Sequence, residues 1–492
     1  MGAMSPDPGR DSAADRALRA LVWDGAWANI VTFLTSGVLL VGFALALGAG
    51  PMTIGLLGAI PFLAQLAQLP AIALIERVRR RRRIAVAANT GARVLVLAMA
   101  TIPFVDNPAV GRGLLLAGIG VMAVLGAVAV CAWNSWMHDL LPKEKLGRFF
   151  APRLFWAGAF ALVAAPAGGF LVDHWPLAPR LTAYSALFVV AALAGFVSSF
   201  WLSRVPDVPL PAPFGRRRPL LAPLWAPLTN RTFRPLLLFS AVWNFACNVS
   251  APFFAVYFIQ QLGLSLGVVV ILWAISQLAY MLTLRMWGRL SDRLSPRAIL
   301  SVGVPVYLGA VLALPFAALP VPHPLTVPVL AVIHLVMGAA TAGIGLASAN
   351  IGLAMAPQRH ATEYLASVSL VASLAAGVAP ILGGAFASAF ASQEISLVLH
   401  WGAAAGGAQM IALRFRHWEF LFALTFVIGL YAVYVLSLIR DGRVISETEV
   451  IEHVLGEMQR TMRSLSSVSG LRVATSFPFG WLTGDGSRDR PR

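Results

Sequence analysis

The stretch Gly288-Arg-Leu-Ser-Asp-Arg-Leu-Ser-Pro-Arg297 is short and basic, holds a single acid, Asp292, between arginines, and lies between two long apolar runs. A charged turn between apolar segments of 20 or so residues reads as the loop joining two membrane-crossing helices. The chain repeats this arrangement earlier, where Glu76 and Arg77 open the run ERVRRRRR between two other apolar spans. Aligning Glu76 on Asp292 brings Trp27 roughly onto Trp243 and Asn134 onto Asn350. Two halves of six apolar spans, each with a charged turn after its second span, point to a duplicated membrane protein.

Composition agrees. Of 492 residues, 58% are hydrophobic and 12% charged, and the mean hydropathy is +0.77. Soluble domains are near 45–50% apolar and about 25% charged, so the chain is an integral membrane protein. Apolar spans fall near 24–49, 52–75, 84–105, 111–138, 150–173 and 180–203, then 233–262, 266–287, 298–318, 325–356, 361–390 and 417–440. Lipid offers no partner to an unpaired backbone group, so these spans are expected to be helices.

The net charge of +16 is gathered in alternate loops rather than on one surface, which argues against a nucleic-acid partner. The turns after even-numbered spans hold Arg77 to Arg83, Lys143, Lys145, Arg148, Arg153, Arg204 to Arg234, Arg289 to Arg297, and Arg359. The opposite turns hold little beyond Arg112, Arg180, Arg414 and Arg416. Both termini are therefore expected in the cytoplasm. Residues 1–22 carry no long apolar core, so no cleavable signal peptide is expected. Cys131 and Cys247 lie inside spans without metal-ligand spacing.

The expected organisation is a cytoplasmic segment 1–23, a six-helix bundle 24–203, a linker 204–232, a second bundle 233–440 and a cytoplasmic tail 441–492. The linker's repeated prolines forbid a continuous helix. Residues 395–413 are apolar enough to suggest a thirteenth span. Their period is two, however, with Ile395, Leu397, Leu399 and Trp401 on one face and Ile411, Leu413 and Phe415 after a glycine-rich break. That pattern predicts a β-hairpin, placed outside the cytoplasm. In the tail, Ser446 and Glu449 have capping-box spacing. They precede an amphipathic run from Val450 to Leu465, expected to dock on the bundle or the membrane surface, with a partner-binding helix as the alternative.

The second-half turn resembles the cytoplasmic loop motif of the major facilitator superfamily, in which a glycine precedes an acid and then basic residues. Gly288, Asp292, Arg293 and Arg297 match it, whereas Ser295 and Pro296 depart from it, and in the first-half copy Ile72 stands where the glycine belongs. The resemblance covers residues 24–440. It implies an all-α membrane fold of twelve helices in two pseudo-symmetric bundles, and transport of a small solute by alternating access. It also implies that Glu76, Arg77 and the Gly288–Arg297 motif latch the cytoplasmic side. Physically, an acid near the start of the ninth helix meets the positive end of its dipole, and exposed pairs of about 0–1 kcal/mol break readily.

The central helices should then line the pathway, which nominates Trp27, Asn29, Thr32, Trp133, Asn134, Trp243, Asn244, Asn248, His334 and Asn350, with Gln65 and Gln277 beside them. Amides offer donors and acceptors, and tryptophans add broad apolar faces with one donor. A helix–helix hydrogen bond is the plainer reading of each alone. Pro166, Gly168 and Gly169, and Pro380, Gly383 and Gly384, combine a kinking proline with glycines that let backbones approach, so they read as packing positions.

Arg93, well inside span three, suggests anion attraction or a snorkelling side chain. The carboxylates Asp24, Asp173, Glu363 and Glu419 fall at span ends, which leaves His334 as the mid-span group suited to proton exchange. No phosphate loop, H-E-x-x-H pair or catalytic constellation occurs, so neither an enzyme nor a cofactor is expected. GLSLG at Gly263–Gly267 lacks the strand–turn–helix setting of a nucleophile. The partners expected are a small-molecule solute, the lipid bilayer and a coupling proton or ion, with the protein working as a monomer. The alternative is the same fold acting as an assembly factor or receptor without transport.

Overall fold

A computed structural model describes residues 8–140, 146–177, 179, 181–208, 225–291, 293–318, 322–357, 360–401, 408–439, 453, 456 and 457. Among the described residues, twelve helices are long and apolar enough to cross a membrane. They are α1 Leu18–Ala46, α2 Pro51–Val78, α3 Arg81–Phe104, α4 Pro108–Leu140, α5 Pro152–Asp173 and α6 Thr182–Ser203. The second set is α7 Arg234–Gln261, α8 Leu266–Ser291, α9 Pro296–Ala318, α10 Thr326–Met355, α11 Ala361–Ala389 and α12 Trp418–Ser437. Val94, Val163, Val332 and Val427 are among the large apolar side chains left exposed, as a multi-pass membrane protein in lipid requires.

Several spans are not continuous α-helices. α1 breaks at Ser36, which is extended (φ −139°, ψ −178°), and restarts at Gly37. Gly37 has φ +57°, a conformation only glycine adopts without strain. α2 tightens to a 3₁₀ turn over Ala64–Ala67, and α7 loosens to a π turn over Tyr257–Gln261. α9 opens with Ser295 as N-cap, its hydroxyl accepting from the Ala298 N–H, and with Pro296 in the first turn, the placement such residues favour.

The expected hairpin is present: β1 Glu394–Trp401 pairs antiparallel with β2 Ala408–Arg416. Ile395 faces Phe415 and Leu397 faces Leu413, and an irregularity after Leu397 then sets Ile411 opposite Val398. The Phe415 ring packs on Phe316 at the end of α9, with centroids 6.3 Å apart.

The described chain forms two compact units. The first takes Met1–Leu220, Asn248–Ala274 and Ser373–Gln393, and the second Leu221–Cys247, Ile275–Ala372 and Glu394–Arg492. At the α2–α3 turn end of the first unit, Leu21, Ile75, Ala85, Ala132, Trp136 and Leu202 belong to one buried core. In the second unit, Trp287 lies against Gly343 and Leu308 against Gly429, so a side chain at either glycine would displace its neighbour.

Candidate functional site

On α1 the expected pathway residues lie in the turns leading to the helix break. Trp27 is half-buried, with its ring 5.9 Å from Phe160 of α5. Asn29 donates to the Gly25 carbonyl (2.9 Å), Thr32 to Ala28 (3.1 Å), Thr35 to Val31 (2.8 Å) and Ser36 to Thr32 (2.5 Å). These bonds to the preceding turn compete with the ladder and help bend the helix. Thr32 and Gly37 are exposed, and nothing lies within 4 Å of where a Gly37 Cβ would stand. Gln65 is exposed on the 3₁₀ turn of α2, where its side chain donates to Pro61 and accepts from Gln68.

Beside α1 lies a polar network the sequence did not disclose. Asp24, placed at a span end by its position in the chain, is buried at 4% exposure inside α1. Its carboxylate accepts from Ser198 of α6 (2.8 Å) and from Arg153 of α5 (3.1 Å). Arg153 also donates to the Leu21 carbonyl and holds its guanidinium 5.0 Å from the centroid of the Trp133 ring. Arg93 of α3 turns inward: its side chain crosses Gly195 of α6, where a methyl group would overlap it. It therefore faces the bundle rather than snorkelling. Asn134, next to Trp133, is exposed.

At the first-half turn, Glu76 and Arg77 are exposed. The buried charge there is Arg81, at 1% exposure. It donates to Asp139 (2.6 Å) and to the Ser135 carbonyl (2.6 Å) of α4, and to the Val208 carbonyl (3.1 Å) beyond α6. Trp136 donates to Pro206 (3.0 Å) and Arg82 to Val205 (3.3 Å). Together they pin the first linker residues across α3 and α4.

In the second unit, Trp243 is buried with its ring 5.5 Å from Tyr307 of α9. Asn244 donates to Ser240 (2.8 Å), and the His334 Nδ1 bonds the Leu330 carbonyl (2.8 Å) one turn back. Asn248, one turn after Asn244, belongs to the first unit and is half-buried. Asn350 donates to Ser291 (2.9 Å), tying α10 to the end of α8. Trp287, not singled out in the sequence, donates to Ala339 of α10 (2.8 Å). Gln277 is exposed.

Asp292 lies outside the described residues. Around it Gly288 has open space where a Cβ would point, Arg293 is exposed, and Arg297 donates to the Ser437 carbonyl of α12 (3.1 Å). Arg289 pairs with Glu457 of the tail (2.6 Å). A cavity of about 630 Å³ near the start of α7, lined by Arg231, Arg234 and leucines, holds none of the expected pathway residues.

The glycines of the proline–glycine motifs are points of close packing within the first unit. Pro166 and Pro380 lie inside their helices. Gly168 packs on Leu34, Leu39 and Leu187, and a Cβ at Gly169 would stand 3.0 Å from the Gly267 Cα. Side chains at Gly383 and Gly384 would collide with the carbonyls of Val249 and Pro51, and one at Gly55 with that of Pro380. At the same end, Asp173 accepts from the Leu266 N–H (3.1 Å) and the Gly267 N–H (2.7 Å), which caps α8. Among the described residues no His, Cys, Asp and Glu cluster could hold a metal ion.

Comparison with curated proteins finds no match. Among solved structures, the nucleoside transporter NupG superposes with a TM-score of 0.64 at 12% identity, over 86% of this chain and 98% of its own. A bacterial homologue of the iron transporter ferroportin, in an inward-facing state, gives 0.61 at 12% identity over 88% and 99%. A bacterial homolog to the human lysosomal transporter Spinster gives 0.56 at 14% over 98% and 98%. The profile of the Major Facilitator Superfamily matches residues 25–380. The chain belongs to that superfamily.

Proposed function

We propose that the protein is a secondary transporter, not an enzyme, which carries a small solute across the inner membrane by alternating access. The bundles 24–203 and 233–440 are the moving halves, both termini are cytoplasmic, and the working unit is a monomer in lipid. The observation that carries this reading is the interruption of α1 at Ser36–Gly37, with Asn29 and Thr32 in the turns before it. Interrupted membrane helices expose backbone polar groups only where these meet a cavity or a solute. The Lys and Arg distribution supports the orientation, under which the α1–α2 turn and the hairpin lie outside the cytoplasm.

The structural neighbours are named for cargoes as unlike as nucleosides and iron, so the side chains around α1 rather than the fold must select the solute. Uptake into proteoliposomes, scanned over nucleosides, short peptides and metal ions, tests the proposal. Expected is saturable flux of one class, lost in Gly37→Val, which cannot adopt the Gly37 backbone without strain. Absence of flux for every class would favour the assembly-factor or receptor reading.

A further inference from the structure

We infer that Asp173 is a charged catch that holds α8 against α5 at the α1–α2 turn end, and that it must open and close in every transport cycle. The inference rests on the transport reading above and names a gate residue for it.

Asp173 is the last residue of α5 and meets the first turn of α8, in the same compact unit. The first amides of a helix have no partner within it. Here the two carboxylate oxygens accept from Leu266 and Gly267, one each. A carboxylate at this place also meets the positive end of the helix dipole.

Close approach makes the bond geometry available. Gly169, one turn before Asp173, abuts Gly267 backbone to backbone, and a Cβ on Gly267 would stand 2.7 Å from the Asp173 Oδ2. The Leu266 side chain and the Tyr184 hydroxyl of α6 both lie against Gly42 of α1, and the Phe43 ring is tilted against Tyr184 at 5.0 Å. The second seam at this end, between α2 and α11, runs through Gly55, Pro380, Gly384 and Pro51 and is one of backbone packing.

The catch is therefore charge-based where the other seam is steric. Packing alone would hold the end shut without a switchable element. An anion on two helix-end amides holds it by an amount that water can replace when α8 withdraws. Its removal should shift the closed-to-open ratio roughly tenfold, the scale of a partly buried anion at a helix start.

The test uses the full chain in oriented vesicles, with Cys131 and Cys247 replaced by Ser and a reporter cysteine at the exposed Thr32. An impermeant maleimide is added from the α1–α2 turn side, and Gly50→Cys in that turn identifies the side. Asp173→Asn should speed labelling of Thr32→Cys about tenfold. Gly267→Ala, which pushes the carboxylate off, should do the same, and it decides the matter if Asp173→Asn is not monodisperse. Unchanged labelling rates in folded protein would overturn the catch. If Gly50→Cys reacts only from the cytoplasmic side, the assigned orientation is wrong, and the same comparison made from that side still judges the catch.

Discussion

Arg153 reaches from α5 to α1 and meets Asp24 at 3.1 Å, with side-chain exposures of 18% and 5%. The pair is enclosed by Ser198, the Leu21 carbonyl and the Trp133 ring, so each charge depends on the other for solvation. Removing one member of a buried pair strands its partner and costs about 3–5 kcal/mol, whereas replacing both with apolar groups can be nearly neutral. Asp24→Ala should therefore destabilise the detergent-purified protein by about 3 kcal/mol. Asp24→Asn, which keeps an acceptor for Ser198, should cost less. The double change Asp24→Asn with Arg153→Met should recover much of the loss in thermal unfolding. Additive losses would show that the two residues are not coupled.

The hairpin should lie outside the cytoplasm. Ser392, exposed just before β1, provides a labelling site clear of the strand pairing. Ser392→Cys should react with an impermeant thiol reagent in intact cells. Protection in intact cells, together with reaction in inverted vesicles, would place strands and helices the other way round.

The sequence yielded what local pattern carries. The twelve spans follow from runs of apolar residues, and the hairpin from alternation at Ile395, Leu397 and Leu399 with a return through Phe415. What stayed hidden is long-range: Asp24 is joined to Ser198 across 174 positions and Arg81 to Asp139 across 58. No periodicity encodes such pairings. Arg81 was one of five consecutive arginines, and only packing shows which of them turns inward. The α1 break was missed because one glycine after Thr-Ser in an apolar run also fits an unbroken membrane helix.

His334 tests the coupling ion. It is 3% exposed, and its Nδ1 bonds the Leu330 carbonyl of its own helix. The bond engages one ring nitrogen with the helix's own backbone, which is a structural role. Flux driven by an imposed pH gradient should therefore survive His334→Gln. Loss of pH-driven flux with counterflow intact would instead make His334 the proton carrier, as expected for a mid-span imidazole.

Glu457 and Arg289 connect the tail to the turn that first revealed the fold. Arg289 closes α8 and is 56% exposed in its side chain, whereas that of Glu457 is 8% exposed, so the tail acid, not the loop base, is the enclosed member. A fully exposed pair would contribute about 0–1 kcal/mol, but enclosing one carboxylate raises the cost of losing its partner to about 1–3 kcal/mol. Arg289→Ala should thus loosen the tail more than it disturbs the membrane helices. Limited proteolysis with trypsin reads this directly: Arg289→Ala and Glu457→Gln should both speed cleavage after Arg460, while the bundle fragments persist. The reciprocal exchange, Arg289→Glu with Glu457→Arg, should restore part of the protection. Cleavage at the native rate in both single variants would mean that the ion pair does not hold the tail.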